Sequence, residues 1–208
     1  MDADFARIAR LPFGPGEGPF RIKGVGYRGH LQYVGETVGL DAMLAGMDPD
    51  HAAYFDQPFL AATYYDLLPL LHAAAALARI EGRAFLDFAW HRTQHQARSD
   101  LNGVYRAMLR IASAKAVARR FARMSAQYFD FGQAELEGED GAKEVRGVWR
   151  GLPEPLAPWL LATVDSYGRY VVGCAGGHQA GVEETGRRRS GQEAGVPLVD
   201  LGFRVHWR

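Results

Sequence analysis

The stretch Gly24-Val25-Gly26-Tyr27-Arg28-Gly29 (GVGYRG, residues 24–29) decides the fold. Its G-x-G-x-x-G spelling is that of a dinucleotide-binding turn, which functions only after a strand, at the mouth of a helix, inside a βαβ unit. FRIKG (20–24) offers one brief strand before it, but a long helical pattern follows. No second strand comes at the spacing where an acid would meet a ribose. The glycines therefore read as a flexible entry that turns the chain from the loop PFGPGEGP (12–19) into the first helix.

Working outward, Leu31, Val34, Val38, Leu40 and Met43 recur at helical spacing from His30 to Gly46. DPDHAAYF (48–55) supplies an Asp cap and Pro49 for a short helix. YYDLLPLLHAAAALARIE (64–81) predicts a buried helix ending at Gly82. Two more helices are expected, over 84–113 with a bend near Gly103, and over 114–128. The texture changes at Phe131-Gly132: QAELEG and EVRGVWRG read as strands joined through Asp140-Gly141. Pro153 and Pro155 open a helix over 156–175. AGVEET (180–185) reads as a strand and GRRRSGQEAG (186–195) as a mobile, solvated loop. LVDLGFRVHW (198–207) is the clearest strand, with Val199, Leu201, Phe203, Val205 and Trp207 on one face. The expected class is α+β, an N-terminal helical body followed by a small, mainly antiparallel sheet in the order β-β-α-β-β. The expected organisation is a leader and loop over 1–23 and one domain over 24–208.

Bulk chemistry narrows the function. The 208 residues carry 24 Lys and Arg against 24 Asp and Glu, a formal net charge of zero. That balance argues against nucleic acid as the main partner, which rewards a basic excess. No segment reaches the roughly 20 apolar residues of a membrane span. The N-terminus lacks the apolar core of a signal peptide. Cys174 is the single cysteine, so no intrachain disulfide or cysteine cluster can form. A cytoplasmic protein is expected.

Three groups of residues carry candidate chemistry. His91 and His95 share a helix face with Asp87 one turn earlier, a spacing that could hold a metal. They lie opposite the apolar stripe beside Arg98, Asn102 and Arg106, so a solvated polar face is the favoured reading. His72 sits at the edge of the apolar face of helix 64–81, where a ligand role competes with that of an ordinary boundary histidine. The helix over 156–175 collects Trp159, Thr163, Tyr167, Tyr170 and Cys174 on its inner face. Hydroxyls and a thiol on an apolar wall suit a small-molecule site, but a core helix whose tyrosine tips reach water or backbone is the favoured reading. No catalytic arrangement can be assembled from the sequence.

The order of elements resembles the ligand-binding domain shared by haem-NO-binding sensors, vinyl-reductase-like regulatory domains and TRAPP-type tethering subunits. The residues GLDAMLAGMDPDH, PFLAATYYDLLPLL, ARSDLNGVYRAMLRIAS, YFDFG, RGLPEPLAPWLLATVDSY and GVPLVDLGFRVHW also resemble a family of myxobacterial paralogues. The resemblance runs from about Gly24 to the end of the chain. It implies the scaffold; with the inner face of helix 156–175, the expected function is a non-enzymatic sensor or regulatory domain that binds a small apolar or amphipathic ligand. The alternative it implies is a protein-interaction module acting as a homodimer with a filled core. Haem-NO sensors carry the haem histidine in a helix before the hairpin and a Tyr-x-Ser-x-Arg motif for the propionates. Helix 114–128 has no histidine, and Val145-Arg146-Gly147-Val148-Trp149-Arg150 has neither that Tyr nor that Ser. Haem held in that mode is therefore not expected.

Overall fold

Leu67–Ile80 is apolar around almost its whole circumference, so it can be stable only as a buried helix. In the computed structural model, which describes residues 2–101, 112–125, 128–136 and 143–208 (122–125 by backbone only), that helix is α5. The chain divides into two compact units: Met1–Arg92 with Tyr128–Asp130, and Thr93–Gln127 with Phe131–Arg208.

The first unit runs α1 (Ala3–Ile8), β1 (Arg21–Lys23), α2 (Gly24–Glu36), α3 (Leu40–Ala45), α4 (Pro49–Ala53), β2 (Tyr64–Asp66), α5 and the start of α6 (Phe85–Asp100). Small Ala73–Ala76 let neighbouring elements approach α5, and Phe5, Ile8, Tyr27, Met43, Phe85 and Phe88 are buried around this core. Asp48 caps α4 through the Asp50 amide, with Pro49 at its first position, as the sequence predicts.

Here the structure corrects the reading of GVGYRG. Helix starts at Gly24, six residues before His30, so the three glycines lie inside α2 and His30 is a buried mid-helix residue. The first amides of α2 find acceptors outside the helix: Gly24 N–H donates to Thr63 O (2.8 Å) and Val25 N–H to Ala61 O (3.1 Å). The 60–63 segment thus does the work of a cap, and Lys23 adds no side-chain bond. It must press on the helix end to do so. A Cβ on Gly24 would sit 2.2 Å from Leu60 O, so only glycine fits. The expected helix over 30–46 is also broken, at Gly39 (φ +86), into α2 and α3.

A second correction falls on 64–66, read as helix and found as β2, antiparallel to β1 with Ile22 opposite Tyr65. Asp66 explains the switch from strand to helix. Its carboxylate accepts from Leu68 N–H (2.9 Å), capping α5, and from Gly16 (2.8 Å) and Gly18 (3.1 Å) of the Pro/Gly loop. Its carbonyl accepts from the buried Tyr27 hydroxyl at 2.5 Å. Tyr27 stacks on Phe59 at 4.1 Å, so loop, helix and strand converge on one carboxylate and one aromatic ring.

The second unit holds the end of α6, then α7 (Ala114–Ser125), β3 (Gln133–Leu136), β4 (Glu144–Pro153), a 3₁₀ turn (Glu154–Leu156), α8 (Ala157–Cys174), β5 (Gly181–Glu193) and β6 (Val196–His206). Its sheet has the order β3-β4-β6-β5, and every pairing is antiparallel. The β-β-α-β-β half is therefore as expected. The bend at Gly103 and the turn at Asp140-Gly141 lie outside the described residues. Val199, Leu201, Phe203, Val205 and Trp207 are all buried. Phe203 stacks on Trp149 of β4 at 4.4 Å.

GRRRSGQEAG is the third correction. It is no loop: β5 continues through it to Glu193 and turns back at Ala194-Gly195. Periodicity could not show this, because β5 is an edge strand whose residues from Glu183 to Glu193 are exposed on both faces. Cross-strand charges take the place of alternation. On the solvated face, Glu135 of β3 meets Arg150 of β4 (2.7 Å), Arg150 meets Asp200 of β6 (3.2 Å), and Asp200 meets Arg188 of β5 (3.0 Å). On the same face His206 is half-buried against Glu183 at 2.9 Å.

Candidate functional site

Pro155 and Pro158 bracket the start of α8 and preset its φ, and Gly176 at φ +85 follows its end. Within it Trp159 is buried, while Thr163, Tyr167, Tyr170 and Cys174 are half-buried. Thr163 donates its hydroxyl proton to Leu160 O (2.8 Å), and the Tyr167 hydroxyl lies 3.3 Å from Asp100 Oδ2 at the end of α6. The Tyr167 ring stacks on Phe121 of α7, centroids 5.8 Å apart and planes 1° from parallel. Gly168 makes this approach possible, since a Cβ there would meet Phe121 at 2.9 Å and Val182 at 3.1 Å. Asp165 accepts from the Val182 amide of β5 at 2.7 Å and ties helix to sheet. The helix thus presents an apolar wall with three hydroxyls and a thiol at its margin.

His72 belongs to the first unit, on α5, and its neighbours there are specific. Its ring stacks on His51 of α4 at 3.6 Å, and meets Phe5 of α1 edge-on at 5.0 Å. Burial, and then the neighbouring His51, hold the His72 imidazole down to about 4. Both His51 ring nitrogens are buried without a hydrogen-bond partner, with the Asp48 carboxylate 3.7 Å from Nδ1. His51 is the residue that sequence reasoning missed. Its position near the start of a short helix carried no signal of a partner on α5, because stacking across elements leaves no trace in spacing.

His30 forms a second neutral site. Burial, and then Arg92 of α6, hold it well below the usual histidine range, and its Nε2 has no partner. On the exposed flank of α6, Asp87 is engaged by Arg83 (3.0 Å) and His91 (3.3 Å). His95 lies one turn further along. Among the described residues no group of three His, Cys, Asp or Glu is arranged to hold a metal ion. No helix among them is long and apolar enough to cross a membrane.

No family model matches the chain, and no curated protein does. Solved structures do. An Fe(II) unliganded H-NOX protein from K. algicida superposes with a TM-score of 0.57 at 11% identity, covering 90% of this chain and 97% of its own. An oxygen-binding H-NOX domain related to soluble guanylate cyclases gives 0.61 at 10% identity, with 90% and 95% covered. The I5F mutant of T. Tengcongensis H-NOX gives 0.58 at 9% identity, with 90% and 98% covered.

This likeness brings haem into question, and the donor set does not fit it in the NO-sensor mode. The helix before the β3–β4 hairpin, α7, offers no imidazole. On β4, Gly147 has no room for a side chain, since a Cβ would meet Glu135 O at 2.5 Å, and Trp149 is buried against Phe203. What is shared is the scaffold: by its α+β order and by superposition, the chain has the fold of these H-NOX structures.

Proposed function

We propose that this protein is a non-enzymatic, cytoplasmic sensor or regulatory domain that holds a small apolar or amphipathic ligand against α8. The observation that carries the reading is the half-buried margin of Thr163, Tyr167, Tyr170 and Cys174 beside buried Trp159. The helix keeps these polar groups at its boundary, where they can orient a bound molecule. The H-NOX likeness supports it, because the same scaffold carries ligand binding in an oxygen-binding domain.

Native mass spectrometry of protein purified from cells is the test. The expected result is an added small-molecule mass that is lost in the folded Thr163→Val/Tyr167→Phe variant. Wild-type protein that never carries extra mass, across several expression hosts, overturns the reading. An intense Soret band in the purified wild type would point to haem held in another mode, and would also overturn it.

A further inference from the structure

We infer that the free edge of β5 is a self-complementary docking strand for a second copy of this chain. Among the described residues the sheet ends on β5, with β6 as its one strand neighbour. The outward Val182 amide is taken by Asp165, but from Glu183 to Glu193 the strand is exposed. Such an edge is a template for another strand unless its side chains forbid it. A run of one charge would repel most partners. The order here is Glu183-Glu184-Thr185-Gly186-Arg187-Arg188, acids first and bases second.

The register gives that order its meaning. Glu183 lies opposite Arg204 and Arg188 opposite Asp200, so both project on one face of the sheet. Glu184 lies opposite Phe203 and Arg187 opposite Leu201, so both project on the other. The extra residue at Thr185–Gly186 places both pairs symmetrically about Gly202. A two-fold axis through that point would set β5 antiparallel to its copy. Glu183 would then face the copy's Arg188 on one side of the sheet, and Glu184 its Arg187 on the other. Charge complementarity is thus satisfied on both faces by one symmetry operation. Gly186 stands at the axis, and a Cβ there would meet nothing within 4 Å, so the centre is open to a second backbone.

Within one chain these groups already have partners: Glu183 accepts from Arg204 (2.6 Å) and lies 2.9 Å from His206. Arg187 reaches back to Glu184 (2.8 Å), and Arg188, 77% exposed, reaches Asp200 (3.0 Å). Exposed pairs of this kind contribute little on their own, so exchanging them across an axis costs little. Backbone hydrogen bonds of the added strand would supply the affinity, and the charges would select the copy and its register. This inference is independent of any ligand at α8.

The experiment measures mass in solution, by light scattering and sedimentation of the full chain across a concentration series. Wild type is expected to dimerise. Glu183→Arg/Glu184→Arg and Arg187→Glu/Arg188→Glu are each expected to raise the dimer dissociation constant at least about tenfold, because every pair becomes repulsive. An equimolar mixture of the two variants is expected to recover the dimer as a heterodimer. Gly186→Val, which has space within one protomer, is a further probe should a charge variant not fold; it is expected to weaken the dimer similarly. A wild type that stays monomeric at high concentration overturns the inference. So does a dimer unmoved by both the charge variants and Gly186→Val, or folded charge variants whose mixture stays monomeric.

Discussion

Single residues settle the meaning of the glycine-rich stretch. Gly24 is glycine because Leu60 O, in the segment whose other carbonyls satisfy the start of α2, presses on it, while Gly35, in the last turn of the same helix, has nothing within 4 Å of an added Cβ. The two positions are alike in sequence and opposite in consequence. Gly24→Ala is expected to destabilise by about 2–3 kcal/mol, since backbone must move to admit the methyl. Gly35→Ala is expected to stabilise by about 0.5–1 kcal/mol through helix propensity. Urea denaturation of the pair checks both, and equal effects at the two sites would contradict the packing account. Nothing in the spelling G-x-G-x-x-G separates these glycines, because the deciding atom lies more than thirty positions away in the chain, at Leu60.

At the scale of elements, the β5–β6 hairpin shows how a strand can be invisible to hydrophobic patterning. Glu193 pairs with Val196, so Ala194 and Gly195 form a two-residue turn, with φ of +47 and +80. Positive φ at both positions is the hairpin turn that favours Asn-Gly. Ala194 pays a steric cost there that asparagine tolerates better. Ala194→Asn is expected to stabilise the protein by about 0.5–1 kcal/mol, read as a raised melting temperature. No gain would mean that the turn is not held in this form. The strand β6 was legible because its five apolar side chains alternate against a buried face. Its partner β5 was legible only as far as Thr185, a little past Val182, where burial on that face stops. The polar margin of α8 was likewise readable from helical spacing, whereas the stack of Tyr167 on Phe121 needed α7 in place.

For the whole molecule, acid sensitivity is distributed unequally between the two units. His72 and His30 are both in the first unit and both held neutral by burial. A histidine whose folded pKa lies below its unfolded value near 6.5 contributes stability that is present above that value. The contribution fades as pH falls from there through the folded pKa, which for His72 is about 4. In the second unit, Glu183 and Asp200 are lowered carboxylates: a hydrogen bond from Arg204 holds Glu183 down, and at Asp200 burial, which raises, is outweighed by hydrogen bonds from Arg188, the Gly151 amide, Ser190 and Arg150 together. Their contribution persists until pH falls into and below the ordinary carboxylate range. The first unit is therefore expected to lose protection near pH 5, before the second does. Residue-resolved hydrogen exchange, corrected for its intrinsic pH dependence, checks the order, and His72→Phe should remove part of the first unit's sensitivity. Simultaneous loss in both units would contradict it.

The sequence alone determined the α+β class, the β-β-α-β-β half and the apolar character of α5 and β6. These rest on local periodicity, which backbone geometry imposes on any element with one buried face. It also excluded the nucleotide reading of GVGYRG, for want of a second strand. Only the tertiary structure decided that those glycines lie inside α2, that Arg187–Arg189 belong to a strand, and that His51 stacks on His72. Each depends on an atom brought close from a distant part of the chain: a loop carbonyl, a neighbouring strand's amides, a ring on another helix. Such contacts have no period along the sequence, so they become readable only once the chain has folded.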